Sequence, residues 1–173
     1  MKKLAIVING CGGVGKDTLC DVAAKHYHVK NISSVTPIKE IAAMCGWDGR
    51  KDAKSRKFLS DLKQLIAEYN DFPTLWALDE YHAFLESDYD ILFVHIREGA
   101  EIDKFVHGTE GHARTLLIRG GNRLAKKPAY GNHSDDDVEA YAYDYYYVND
   151  LPLSETDAAF SKLLSQMFDE LEG

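Results

Sequence analysis

Apolar and polar positions divide the chain into short unbroken runs and longer periodic stretches. The first run, KLAIVIN (Lys3 to Asn9), is apolar without alternation, which predicts a strand buried on both faces. Leu19, Val22, Ala23 and Tyr27 then recur at helical spacing and predict an amphipathic helix over residues 16–27. Residues 28–34 read as a short second strand. Pro37 opens a helix, where its missing N–H leaves nothing unsatisfied; Ile38, Ile41, Ala42 and Cys45 form the apolar face and Gly46 ends it. The next helix carries Phe58, Leu59, Leu62, Leu65, Ile66 and Tyr69 on one face, and Asn70-Asp71-Phe72-Pro73 breaks it. A further helix runs from about 74 to 86 with Leu75, Leu78, His82 and Leu85 on one side, His82 being a packing residue.

Residues 90–96, DILFVHI, form a second unbroken apolar run, as expected of a central parallel strand. Ile102, Phe105 and Val106 mark the helix behind it, and Thr115 to Ile118 is another strand. Ser134 followed by Asp135, Asp136 and Asp137 reads as a capped helix start. Asp144 to Val148 is the fifth strand, its run of tyrosines explained by β-propensity. Ser154 is expected to cap a last helix facing inward with Phe160, Leu163, Leu164, Met167, Phe168 and Leu171. Strands alternating with helices imply a mostly parallel sheet covered on both faces.

Between the first strand and the first helix lies GCGGVGKDT, Gly10 to Thr18. The spacing Gly10-x-x-x-x-Gly15-Lys16 fits a phosphate-binding loop. Glycines at 10, 12, 13 and 15 let backbone N–H groups turn inward around an anion. Lys16 adds a charge for the β- and γ-phosphates, and the helix start adds free donors. The general pattern places Ser or Thr after the lysine, to bind magnesium; here Asp17 stands there and Thr18 follows. A carboxylate beside a triphosphate needs a cation between them. Asp17 therefore reads as a magnesium ligand, direct or through water, or as a base near the acceptor; the competing reading is a helix cap.

The 173 residues suit one domain, or one domain with a small insert. A net charge of −8 argues against a nucleic-acid surface but leaves room for a small anionic substrate held by a local basic cluster. One such cluster is the segment 47–57, with Arg50, Lys51, Lys54, Arg56 and Lys57; as a group they could hold an anion, although for any one of them a solvated surface role is the better expectation. No apolar run reaches the roughly 20 residues that span a bilayer. The first residues mimic a signal peptide, but the run is short and the glycine loop follows at once. Cys11, Cys20 and Cys45 lack metal-ligand spacing and fit a reducing cytoplasm.

Four stretches together resemble the P-loop nucleoside monophosphate kinases, most closely the phage-type deoxynucleoside monophosphate kinases: GKDT (Gly15 to Thr18), TPIKE (Thr36 to Glu40), YDILFVHIREGAEIDKF (Tyr89 to Phe105) and NHSDDDVEAYAYDYYYVND (Asn132 to Asp150). The resemblance implies a P-loop NTPase three-layer α/β sandwich, with a five-stranded parallel sheet in the order 2-3-1-4-5. It implies one kinase domain over 1–173, with an acceptor-binding helical segment at about 37–88 and a short lid at about 119–134. The implied activity is ATP- and magnesium-dependent phosphoryl transfer to a nucleoside or deoxynucleoside monophosphate by a cytoplasmic monomer or homodimer. Gly10, Gly12, Gly13, Val14, Gly15, Lys16, Asp17 and Thr18 would hold the donor. Arg56 and Arg97 would hold the acceptor phosphate, with Glu98 and Glu101 orienting Arg97. Arg119 and Arg123 would act from the lid. One departure stands out: His95 occupies the position where the family usually has Asp, two residues before the Arg. Glu98 or Asp17 could take over its role toward hydrated magnesium. Rival readings are a kinase of another phosphorylated small molecule, as in animal-type phosphomevalonate kinase, and a non-catalytic nucleotide-binding regulator.

Overall fold

The computed structural model describes residues 2–121 and 138–172. In order, the elements are β1 (Leu4–Asn9), α1 (Lys16–Ala23), β2 (Val29–Ser33), α2 (Thr36–Met44), α3 (Ala53–Asn70), α4 (Phe72–Leu85), β3 (Ile91–His95), α5 (Gly99–Gly108), β4 (Arg114–Gly120), a 3-10 turn (Val138–Ala140), β5 (Tyr145–Asn149) and α6 (Leu153–Asp169). The five strands form one parallel sheet in the order β2-β3-β1-β4-β5.

The unbroken apolar runs have a direct cause. Alternate residues of a strand point to opposite faces, and here both faces are covered by helices. Leu4, Ile6 and Ile8 join Ile91, Phe93, Leu116 and Ile118 in one core, packed against Leu19 of α1 and Phe160, Leu164 and Met167 of α6. Ala5 and Val7 join Leu92, Val94 and Leu117 in the other, packed against Ala77, Tyr81 and Phe84 of α4 and Ile102 and Phe105 of α5. Each large side chain so buried contributes about 1.5–3 kcal/mol. All strands point the same way, so their C-terminal ends share one edge. There β1 leads to α1 on one face and β3 to α5 on the other, which opens a crevice beside β1.

Three helices differ from expectation. In α4 the buried face is Ala77, Tyr81 and Phe84, whereas Leu75 and Leu85 are 51% and 40% exposed. The segment FPTLWALDEYHAFL is apolar nearly all round, so periodicity does not select the buried side. In α3 none of the 18 residues is fully buried, and Leu65 and Tyr69 are 66% and 86% exposed. That helix is held at its start by Asp52, whose side chain accepts from the Ser55 amide at 2.8 Å. Ser154 does not cap α6: Pro152 is the cap position, and Ser154 sits inside the first turn with no side-chain cap bond there.

Candidate active site

The loop after β1 turns through positive φ at Gly10, Gly13 and Gly15. A Cβ on Gly10 would lie 2.4 Å from the Ile118 carbonyl oxygen, and one on Gly15 would lie 2.5 Å from Asn149 Nδ2. Strands β4 and β5 thus press on the loop from behind, and only glycine fits both the dihedrals and the space. A Cβ on Gly12 would meet nothing within 4 Å, so Gly12 borders open space rather than packing. Val14 is buried, and its carbonyl accepts from Asn149 Nδ2 at 2.9 Å. The Gly10 amide is already used, donating to Asn9 Oδ1 at 2.8 Å, so it is not a free donor for a phosphate.

Helix α1 opens on Gly15 without a side-chain cap, so Asp17 does not fill the capping role of the competing reading. Asp17 and Thr18 are exposed on the first turn. Lys16 reaches back across the loop, its Nζ donating to the carbonyls of Gly10 and Cys11 at 2.5 and 3.0 Å. Carbonyl oxygens are weak substitutes for an anion. The ammonium is therefore held over the loop mouth by bonds that a phosphate oxygen can replace with a charge-assisted one.

A cleft of about 980 Å³ joins the loop to the ends of β2 and β3, with Gly12, Gly13, Lys16 and Asp17 on one wall. Arg97, Lys39 and Lys51 bring positive charge to the same cleft, beside the hydroxyls of Ser33, Ser34 and Thr36. Lys39 was missed in the sequence; it lies one turn into α2 after Pro37, and that turn faces the loop. Lys51 belongs to the basic segment 47–57. Arg56 of that segment is exposed on α3 and is not among the residues lining the cleft.

The expected partners of Arg97 are engaged elsewhere. Lys63 of α3 binds Glu98 at 3.1 Å and Glu101 at 2.9 Å, which pins α3 to the start of α5. Burial raises the Glu101 carboxyl and Lys63 opposes that shift. The Arg97 backbone is fixed instead by Asn9, whose Nδ2 donates to the Arg97 carbonyl at 2.9 Å. In the sequence Asn9 marks only the end of a strand.

His95 also lines the cleft. Its Nε2 lies 2.7 Å from Asn31 Oδ1 on β2 and 3.9 Å from Cys20 Sγ on α1. Burial lowers its pKa and the nearby Asp17 partly offsets this, and an imidazole carries no negative charge with which to stand in for a carboxylate. Cys20 is pushed up to about 12, chiefly by burial, which makes it an inert thiol. Glu98, the other candidate for the missing carboxylate, lines the cleft but is paired with Lys63. Asp17 is thus the cleft's carboxylate without such a pairing, and no group of three or more His, Cys, Asp or Glu side chains among the described residues is placed to hold a metal.

Arg119, the penultimate residue of β4, forms a fork with Glu139, Nε to Oε1 at 3.0 Å and Nη2 to Oε2 at 2.7 Å, and stacks 4.7 Å above the Tyr146 ring. It does not line the cleft. Arg123, the rest of the expected lid and the Ser134 helix start lie outside the described residues.

No protein-family model matches the chain, and no curated protein does. Solved structures do match in shape. The tunicamycin resistance protein of Deinococcus radiodurans is 12% identical, over 94% of this chain and 96% of that one, with a TM-score of 0.59. A sugar kinase from Janibacter sp. HTCC2649 is 16% identical, over 94% and 95%, with a TM-score of 0.50. At such identities the likeness is one of architecture. It shows the fold alone, which in this chain is a five-stranded parallel sheet in the order β2-β3-β1-β4-β5 with helices on both faces. No helix among the described residues is long and apolar enough to cross a membrane.

Proposed function

We propose that the protein transfers the terminal phosphoryl group of ATP to a nucleoside or deoxynucleoside monophosphate, giving the diphosphate. The observation that carries this reading is the single cleft with Lys16 and Asp17 on one wall and Arg97, Lys39 and Lys51 around the rest. A donor anion and an acceptor anion can lie there together, each with its own cations. The sugar kinase among the structural neighbours supports the wider reading of a small-molecule kinase.

In this reading residues 1–173 act as one kinase domain. The segment at about 37–88 forms the acceptor side, and a lid at about 119–134 brings Arg119 and Arg123 to the transferred group once Arg119 leaves Glu139. Gly12, Gly13, Val14, Gly15 and Thr18 cradle the donor phosphates, and Arg97 grips the acceptor phosphate in a bidentate fork. Arg56 acts at most from the rim. Magnesium, when bound, neutralises charge on the donor phosphates. Asp17 would receive that ion, which keeps several waters and binds chiefly through phosphates. The setting is cytoplasmic, in keeping with three free cysteines, and the protein works as a monomer or homodimer on small nucleotides.

Replacing Asp17 by Asn keeps its size and removes its charge. The variant is expected to need several-fold more magnesium for half-maximal rate; an unchanged magnesium titration would leave Asp17 without a metal role.

A second reading has one observation in its favour. No Phe, Tyr or Trp among the described residues lines the cleft; its apolar members are Ile8, Ile32, Val35, Leu59 and Ile96. A phosphorylated aliphatic acceptor, as in phosphomevalonate kinases, needs no ring to stack against. Assaying ATP with each ribo- and deoxyribonucleoside monophosphate, and with phosphomevalonate, separates the two. Turnover with a nucleotide is expected; turnover with phosphomevalonate alone, or with nothing, overturns the proposal.

A further inference from the structure

We infer that Asn9 is a positioning residue that ties the donor loop to the acceptor arginine, with Tyr143 as its brace. The inference rests on the kinase reading above and goes beyond it. Asn9 is the last residue of β1 and is 1% exposed. Its amide makes three hydrogen bonds to three separate parts of the fold. Oδ1 accepts the Gly10 N–H at 2.8 Å, at the head of the donor loop. Nδ2 donates to the Arg97 carbonyl at 2.9 Å, beyond the end of β3, and to the Tyr143 hydroxyl at 2.8 Å. The Tyr143 hydroxyl passes its own proton to the Val138 carbonyl at 2.9 Å. The orientation of the amide follows from these partners, since the Gly10 N–H can only donate and the Arg97 carbonyl can only accept.

The place of this amide in the sheet gives it its leverage. Pairing of β1 with β3 ends at Ile8 and His95, so Arg97 lies past the last rung. On the other side β1 still pairs with β4 at Asn9 and Leu117. The strands part at this point, and the cleft opens between them. The Asn9 side chain replaces the missing rungs and fixes how far apart the donor loop and the Arg97 backbone sit. Tyr143 holds the amide from behind and is itself fixed. Its ring meets Tyr141 and Tyr146 edge-on at 5.0 and 5.9 Å, and its amide donates to the Tyr146 hydroxyl at 3.0 Å. Direct transfer needs the acceptor oxygen in line with the transferred phosphorus at roughly 3–3.5 Å, and a misplacement of about 1 Å can lower the rate on the order of a hundredfold.

A buried asparagine that served stability alone would behave differently. Its loss would lower the melting temperature and the folded fraction, and each surviving molecule would work normally. The test compares Asn9→Asp and Tyr143→Phe with the wild type, with rates expressed per active site counted by binding of a non-hydrolysable ATP analogue. Asn9→Asp keeps an acceptor for the Gly10 N–H and removes the donor to Arg97. Tyr143→Phe removes one hydroxyl and keeps the ring contacts, so it carries the test if Asn9→Asp does not fold. For Asn9→Asp, kcat/KM for the acceptor should fall about tenfold or more per active site, with the acceptor KM raised and the ATP KM within about twofold of wild type. For Tyr143→Phe the same pattern should appear at about threefold or more. Wild-type turnover together with unchanged acceptor KM and kcat per site in both variants overturns the inference and leaves the kinase reading standing. A rise confined to the ATP KM also overturns it. A wild type that transfers phosphate to no acceptor overturns the kinase reading, and this inference with it.

Discussion

Lys16→Met is expected to lower the phosphoryl-transfer rate by about a hundredfold or more, with little change in melting temperature, because removing one preorganised charge from a transition state typically does so. The ammonium spans the loop on the Gly10 and Cys11 carbonyls, at the head of the cleft. Methionine has a similar stem and no charge, so the side chain keeps its reach and loses what a transferring group needs. Negative charge on that group spreads over its oxygens, and catalysis consists mainly of positioning and neutralising it. The loop itself is shaped by glycines pressed against Ile118 and Asn149, which the substitution leaves alone. Initial rates at saturating ATP, beside thermal melts of both proteins, are the measurement. A variant that keeps more than about a tenth of the wild-type rate, a loss under roughly 1.4 kcal/mol, would remove Lys16 from the chemistry.

Legibility in the sequence followed the physics of each element. Strands β1 and β3 could be placed to within a residue or two because burial on both faces leaves an unbroken apolar run between polar ends. The glycine loop was legible because a turn of positive φ against two strands accepts no other residue at Gly10 or Gly15. The strand order came from family resemblance, since no local pattern encodes which strands are neighbours. Helix α4 could not be oriented because its residues are apolar on nearly every side, and α3 presents an apolar face that the fold leaves half open.

The site was legible where chemistry needs a residue type at a fixed spacing and obscure where it needs a contact across the fold. Asn9 and Tyr143 are separated by 134 positions and meet only because β1 ends near the approach to β5. Lys39 reaches the cleft only because α2 starts beside the loop. Glu98 and Glu101 stand next to Arg97 in sequence, yet the charge they meet is on α3. Proximity along the chain was the wrong guide for that trio. At a strand end, successive residues diverge, and a helix packed alongside is closer than the sequence neighbour.

Arg97→Lys is expected to raise the acceptor KM about tenfold or more while the ATP KM hardly moves, because a bidentate phosphate grip loses one of two charge-assisted bonds worth on the order of 1.5–3 kcal/mol. The backbone of Arg97 is anchored through Asn9, and the residue lines the same cleft as Lys16 and Asp17. With Glu98 and Glu101 paired to Lys63, those acids are not the clamp that would hold the guanidinium back from a ligand. Lysine keeps the charge and roughly the reach, so any effect isolates the planar fork from simple electrostatics. Lys39 and Lys51 supply further charge to the same cleft, so weakened rather than abolished binding is the outcome. A surface arginine with no ligand would barely register the change, since exposed pairs contribute about 0–1 kcal/mol. Steady-state kinetics with each substrate varied in turn at saturating levels of the other distinguish these cases. If only the ATP KM rose, Arg97 would belong to the donor side; if neither constant moved, the acceptor phosphate would have to be held by Lys39 and Lys51 without it.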